Sequence, residues 1–183
     1  NLLFTFLEMV NLNPKELGLN SEDLLEMYRR MVLSRALDER IWQINRQGKS
    51  PFTASSQGHE TAQVALVWAT RQGSDLFYIY YRDLPTVIAL GVSPKEMLIG
   101  FMAKAGEPFS GARQFPLHGA YPKYNIISLS NVVATQIPQA VGASLASKMR
   151  GDQAVTITYF GDGAASQGDC HESMNFAAIH KLP

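Results

Sequence analysis

Cysteine occurs once in the 183 residues, and no net charge is left over, because 16 Lys and Arg balance 16 Asp and Glu. A single thiol, Cys170, excludes an internal disulfide framework and suits a reducing cytosol, so a cytoplasmic protein is expected. Balanced charge leaves no basic field, which argues against electrostatic capture of nucleic acid or of an anionic membrane. No apolar run reaches membrane-spanning length, and the segment from Leu2 to Val10 is short with no basic flank before it, so neither a spanning helix nor a secretory signal is read. Cys170, His171 and Glu172 stand together, but no second cysteine or suitably spaced histidine accompanies them; Cys170 is expected to pack within a helix.

What the chain does have is ordinary apolar content, 46% of residues, enough for one domain with a sizeable core. The most informative stretch is AVTITYFGDGAASQGDCHESMNFAAIH, residues 154 to 180. Val155, Ile157, Tyr159 and Phe160 form a β-branched and aromatic run with the length of a buried strand, halted at Gly161, Asp162 and Gly163. From Ser166 the pattern becomes helical, with Cys170, Met174, Ala177 and Ala178 recurring every three or four residues. Asp162 is therefore expected where the carboxyl end of a strand meets the amino end of a helix, the place where open α/β sheets bind ligands. Two glycines admit a bulky anion near the backbone, and a carboxylate can hold a divalent cation that bridges to phosphate oxygens. The plainer alternative is a tight turn with Asp162 as a helix cap.

Before that stretch the chain reads as helices and loops around a sheet. Residues 1–20, with Asn13, Pro14 and Gly18, suggest an extended arm, and residues 21–183 a single domain. Asn20 and Asp23 form a helix start, and Leu24, Tyr28, Met31, Val32 and Ala36 mark an apolar stripe lasting to about Gln47; Arg29, Arg30, Arg35, Asp38, Glu39 and Arg40 fall mostly on the other face, as a solvated surface or a salt-bridged scaffold. Ser55, Ser56 and Gln57 either cap the helix that begins near Gly58 or line a substrate channel. Leu76 to Tyr81 reads as a strand ending at Arg82, a residue suited to phosphate or to pairing with Asp83. Pro85 opens a short helix closed by Gly91, and Ser93 with Glu96 forms a capping box for a helix to about Ala105. Residues 106–128 form a long irregular loop in which His118 could transfer protons or serve as a hydrogen-bonding strut. After Ser130 and Asn131 comes a helix rich in Ala and Gly.

Four segments in this order carry a resemblance: Tyr81-Arg82, the His118 loop, Ala134-Thr135-Gln136-Ile137-Pro138, and GDGAASQGD followed by NFAA. From Asp23 to Pro183 the chain resembles the alpha subunits of the thiamine-diphosphate-dependent, decarboxylating component of 2-oxo acid dehydrogenase complexes. The resemblance implies a doubly wound parallel α/β sheet, truncated at its C-terminal side before an Asn pair that closes the cofactor signature. It implies thiamine diphosphate and Mg2+, with Asp162 as metal ligand, and Tyr81, Arg82, Asn131, Val133, Gly161, Gly163 and Ala164 around the cofactor. It further implies His118 as the catalytic histidine, Glu60 as a supporting residue behind the site, and a potassium ion held by Ser130, Val132, Thr135 and Gln136. Val132 stands where many relatives carry Pro, and Asn131 where they carry Ser; for Thr135 and Gln136 the simpler reading is helix capping.

Family membership also implies partners. The glutamate that activates the cofactor comes from a beta subunit, so an α2β2 heterotetramer is expected, passing an acyl group from a small 2-oxo acid to a lipoyl-bearing acyltransferase. Residues 134–138 look most like the branched-chain enzymes, with pyruvate or acetoin dehydrogenase as alternatives. Two other classes stay open: a non-catalytic interaction module, and a phosphohydrolase using Asp162, for which Asp169 is the only second acid nearby.

Overall fold

A computed structural model describes residues 13–183; the apolar stretch from Leu2 to Val10 lies outside them. The described part of the arm is a 3-10 turn over Pro14–Leu17, capped by the Asn13 side chain and closed by Gly18 with φ 74°. Helix α1 (Ser21–Arg46) starts at the expected capping box, in which the Asn20 side chain accepts the Glu22 and Asp23 amides and Asp23 accepts the Asn20 amide. These bonds satisfy donors that a helix end otherwise leaves open.

The face that α1 buries is not the expected one. Met27, Ser34, Leu37, Asp38, Ile41 and Ile44 point inward, whereas Leu24, Tyr28 and Val32 are exposed, Tyr28 at 64%. Both stripes have helical spacing, and tertiary contacts chose the one that includes two small or polar residues with partners inside. Helices α2 (Glu60–Trp68), α3 (Leu84–Ala89) and α4 (Pro94–Phe101) pack with α1. The Ser93 capping box begins α4 as expected.

The sheet has three parallel strands, β1 (Leu76–Tyr78), β2 (Ile126–Ile127) and β3 (Thr156–Thr158), in the order β2-β1-β3. Phe77 lies opposite both Ile126 and Ile157. Phe77, Ile79 and Ile126 are buried completely and share one core with Val64 and Val67 of α2, Val87 and Ile88 of α3, and Met97 of α4. Helix α5 (Gln136–Arg150) packs on β3 and β1, and α7 (Gly168–His180) packs on α5. The expected α/β class and parallel sheet are thus present, although each strand is shorter than its apolar run. Asp162 opens a separate one-turn helix, α6 (Asp162–Ala165), where a single helix from Ser166 was expected. Cys170 is buried in α7 against Ala134, Ile137 and Ala164.

Because the central strand sends the chain first to β2 and later, over α5, back to β3 on its other side, the carboxyl ends of β1 and β3 lie next to one another. That is the crevice where such sheets bind ligands.

Candidate functional site

At this crevice is a cleft of about 1010 Å3. Four chain segments wall it, residues 52–55, 80–82, 129–134 and 161–164, joined by Trp42, Phe115, His118 and Gln136. Of the residues singled out from the sequence, Tyr81, Arg82, His118, Ser130, Asn131, Val132, Val133, Gln136, Gly161, Asp162, Gly163 and Ala164 reach it, and Thr135 does not. Asp169, the second acid that a phosphohydrolase would want, lies in the first turn of α7, off the cleft wall. Among the described residues no three of His, Cys, Asp and Glu cluster as a metal site.

The turn after β1 sets one wall. The Asp83 carboxylate accepts the Tyr80 amide at 2.7 Å and the Gln63 side chain at 2.9 Å, so Asp83 is built into the interior and does not pair with Arg82 on the surface. Burial pushes its carboxyl well above the usual value. Arg82 instead donates to the Ser55 carbonyl at 3.1 Å, with its guanidinium 5.2 Å from the centre of the Tyr81 ring. Burial works against the charge on Arg82, but the neighbouring Tyr80 and Tyr81 oxygens outweigh it and raise its pKa. Arg82 therefore carries a fixed positive charge into the cleft. Across from it, a Cβ on Gly161 would come within 3.2 Å of the Tyr80 hydroxyl, so a side chain at 161 would press on the Tyr80 ring end. Asp162 is exposed at the first position of α6.

The irregular loop is organised by buried Glu107, which accepts the Phe109, Ser110 and Ala112 amides at 2.7 to 2.8 Å. Burial raises its pKa, and these backbone donors more than offset that, holding it below the usual carboxylate value. The loop delivers His118, 4% exposed, into a cage of Phe52, Phe115 and Tyr81. Its Nδ1 lies 2.8 Å from the Pro116 carbonyl. A carbonyl only accepts, so Nδ1 is the nitrogen that donates to it, and Nε2 is left free of this bond. Leu117, just before it, has φ 61°, and Ala134 has φ 75° in the facing segment. Such left-handed residues other than glycine cost of order 1 kcal/mol each and tend to gather at functional sites.

In the 130–136 segment Thr135 holds the N-cap position of α5 but makes no side-chain cap bond there. Its hydroxyl donates back to the Val132 carbonyl at 2.9 Å, Ser130 Oγ accepts the Val132 amide, and Gln136 donates from its side chain to the Tyr159 carbonyl. Ser55, Ser56 and Gln57 do not cap α2 either, since His59 is its cap residue and makes no side-chain bond. They converge on Asp38, grouped from the sequence with charges of a solvated or salt-bridged face but 3% exposed in the fold and met by this loop. Glu60 ties α2 to α1 through Arg35 at 2.7 Å and accepts the Gly58 amide. Burial pushes its carboxyl up, and those bonds outweigh this and hold it below the usual value.

The family model described as "Dehydrogenase E1 component" matches residues 28–183. The chain belongs to the dehydrogenase E1 component family. This E1 chain is 45% identical over 167 residues to the 2-oxoisovalerate dehydrogenase subunit alpha of Bacillus subtilis, a stretch covering 91% of the chain and 51% of that relative. It is 40% identical over 165 residues to a pyruvate dehydrogenase E1 component subunit alpha of Staphylococcus aureus, covering 90% of the chain and 42% of the relative. It is 34% identical over 164 residues to the mitochondrial 2-oxoisovalerate dehydrogenase subunit alpha of Dictyostelium discoideum, covering 90% and 37%. The chain therefore spans about half the length of the Bacillus relative and less of the others. None of the described helices is long and apolar enough to cross a membrane.

Proposed function

We propose that this E1 chain forms the cofactor-diphosphate side of a 2-oxo acid dehydrogenase alpha subunit that acts on branched-chain 2-oxo acids, working with a beta subunit in an α2β2 assembly. The single observation that carries the reading is the convergence of Tyr81-Arg82, His118 and Gly161-Asp162-Gly163 on one cleft at the sheet's carboxyl edge. The residues there fit thiamine diphosphate and Mg2+ by chemistry. Arg82 brings a cation for phosphate, Asp162 a hard carboxylate oxygen for Mg2+, and Gly161 leaves the room a side chain would fill. When bound, thiamine diphosphate supplies the electron sink that decarboxylation requires.

The chain's own residues do the rest. Arg82, held by the Ser55 carbonyl and lying beside Tyr81, would orient and neutralise the diphosphate. Asn131 and Val133, both exposed in the cleft, would contact the remainder of the cofactor. His118, with Nδ1 fixed by Pro116 and its ring packed edge-on against Phe52 and Phe115, presents Nε2 to accept or return a proton. Neutral oxygens of Ser130, Val132, Thr135 and Gln136 suit a potassium ion beside this wall: Thr135 Oγ1 spends its proton on the Val132 carbonyl and keeps its lone pairs. The acyl acceptor would be a lipoyl-bearing acyltransferase, whose lipoyl disulfide would break as the thioester forms and so take up the two electrons left by decarboxylation.

The branched-chain preference is supported by the higher identity to the Bacillus 2-oxoisovalerate dehydrogenase subunit and by the apolar Trp42, Phe52, Phe115 and Leu129 in the cleft. The test is turnover by the alpha and beta subunits assembled together. Faster turnover per unit KM with 2-oxoisovalerate than with pyruvate is expected; the reverse order would overturn the branched-chain reading, and no 2-oxo acid turnover at all would overturn the enzyme reading.

A further inference from the structure

A second layer of the site lies on α1, behind the loop that walls the cleft. Asp38 is 3% exposed and has no cationic side chain within ion-pairing distance among the described residues. Its charge is met by hydrogen bonds from a single loop: Oδ2 accepts the Ser55 hydroxyl at 2.8 Å and the Gln57 side-chain amide at 3.1 Å, and Oδ1 accepts the Ser56 amide at 2.9 Å and the Ser56 hydroxyl at 3.2 Å. A buried carboxylate is tolerated where such donors surround it, and bonds to a charged acceptor are stronger than neutral ones. The same loop turns outward one atom group later. The Ser55 carbonyl, on the residue whose hydroxyl Asp38 holds, accepts Arg82 Nη1 at 3.1 Å. Nothing in this network caps α2, so its donors are not spent on helix formation.

We propose that Asp38 is a positioning residue: it locks the Ser55–Gln57 loop so that the Ser55 carbonyl fixes the Arg82 guanidinium in the orientation that meets the cofactor diphosphate. The inference rests on the reading of Arg82 as a diphosphate ligand and adds a residue outside the cleft, on a different element, through which that ligand is aimed. Rigid support matters because a guanidinium binds phosphate by a planar fork whose direction decides the fit.

The experiment uses the full-length alpha subunit assembled with its beta subunit, and compares wild type with Asp38→Asn, Ser55→Ala, Arg82→Lys and the Asp38→Asn/Arg82→Lys double variant. Two quantities are read: the Kd for thiamine diphosphate in the presence of Mg2+, followed by quenching of tryptophan fluorescence, and the hydrogen-exchange rate of the Ser56 amide. Asp38→Asn is expected to speed exchange at Ser56 and to raise the Kd about tenfold, the lower end of what removing an orienting partner behind a ligand costs. Ser55→Ala, which spares Asp38 itself, is expected to raise the Kd in the same direction by less, so a folding failure of one variant does not decide the matter. Adding Asp38→Asn to Arg82→Lys is expected to cost little more, since residues acting through one another are not additive. An equal Kd increase from Asp38→Asn in both backgrounds, or Ser56 exchange at the wild-type rate in Asp38→Asn, would overturn the proposal while leaving the diphosphate reading intact. An unchanged Kd in Arg82→Lys would overturn that reading itself, and the proposal with it.

Discussion

The imidazole of His118 lies parallel to the phenol ring of Tyr81, with 5° between the planes and 6.1 Å between the centroids. One ring comes from the turn after the central strand and the other from a loop with no regular structure, so the contact joins two parts of the cleft that have little else in common. With Nδ1 fixed on the Pro116 carbonyl, the ring can turn neither way without losing a bond or a stack. His118→Asn in the assembled enzyme is expected to lower kcat by about a hundredfold, the scale of a lost proton-transfer group, with the thiamine diphosphate Kd changed by less than about threefold. Steady-state kinetics and a binding titration on the same preparation check both; an unchanged kcat would make His118 a strut.

Asp162 is the one carboxylate on the Gly161-Asp162-Gly163 wall. Asp162→Asn keeps the size and removes the charge, and it is expected to weaken Mg2+-dependent binding of thiamine diphosphate by about ten- to a hundredfold. Titrating the cofactor at fixed Mg2+ and then at fixed cofactor measures this. A Kd that does not respond would remove Asp162 from the metal site.

Gly119 follows His118 directly, and a Cβ there would sit 2.6 Å from the carbonyl carbon and oxygen of Phe109. Backbone cannot give way as a flexible side-chain end can. Gly119→Ala is expected to destabilise the fold by about 1–3 kcal/mol, the usual cost of forcing extra volume into a packed region, and to disturb the His118 loop. Thermal melting, together with kcat of the folded fraction, checks it.

The Ser93 hydroxyl and the Tyr121 hydroxyl both donate to Glu96 and hold its carboxyl down at about 2, while Tyr121 is pushed up to about 12 by the same carboxylate. Since the folded value of Glu96 lies below its unfolded one, the stabilisation is complete above the ordinary glutamate range and fades as pH falls through it toward 2. Glu96→Gln should therefore melt below wild type near neutrality. The gap between the two is expected to narrow below about pH 5 in melting curves recorded as a pH series.

If the oxygens of Ser130, Val132, Thr135 and Gln136 take potassium, the melting temperature of the assembly is expected to be higher in KCl than in choline chloride of equal ionic strength. Thr135→Val removes a candidate ligand oxygen along with the bond to Val132. It should lower the melting temperature in both salts and abolish the difference between them. Identical melting of wild type in the two salts would remove potassium from the proposal.

Much of this could be read from residues alone because the determinants are local. The Asn20 and Ser93 capping boxes, the strand-breaking Gly161-Asp162-Gly163, the small short helix opened near Pro85 and the ordered set of family segments depend on neighbours a few positions away. The parallel sheet and its ligand-binding edge follow from alternating strands and helices in one chain. The inward face of α1 did not follow, because Leu24, Tyr28 and Val32 have the same periodicity as Met27, Leu37 and Ile41, and only packing against α2, α3 and α4 separates them. Asp38 looked like a surface charge because its partners lie 17 to 19 positions away. The places of Trp42 and Phe115 in the cleft, and the left-handed backbone at Leu117 and Ala134, likewise carry no local signal. By itself the sequence determined which chemical groups are present and in what order; the tertiary structure decided which of them meet, because hydrogen bonding and burial act across space and not along the chain.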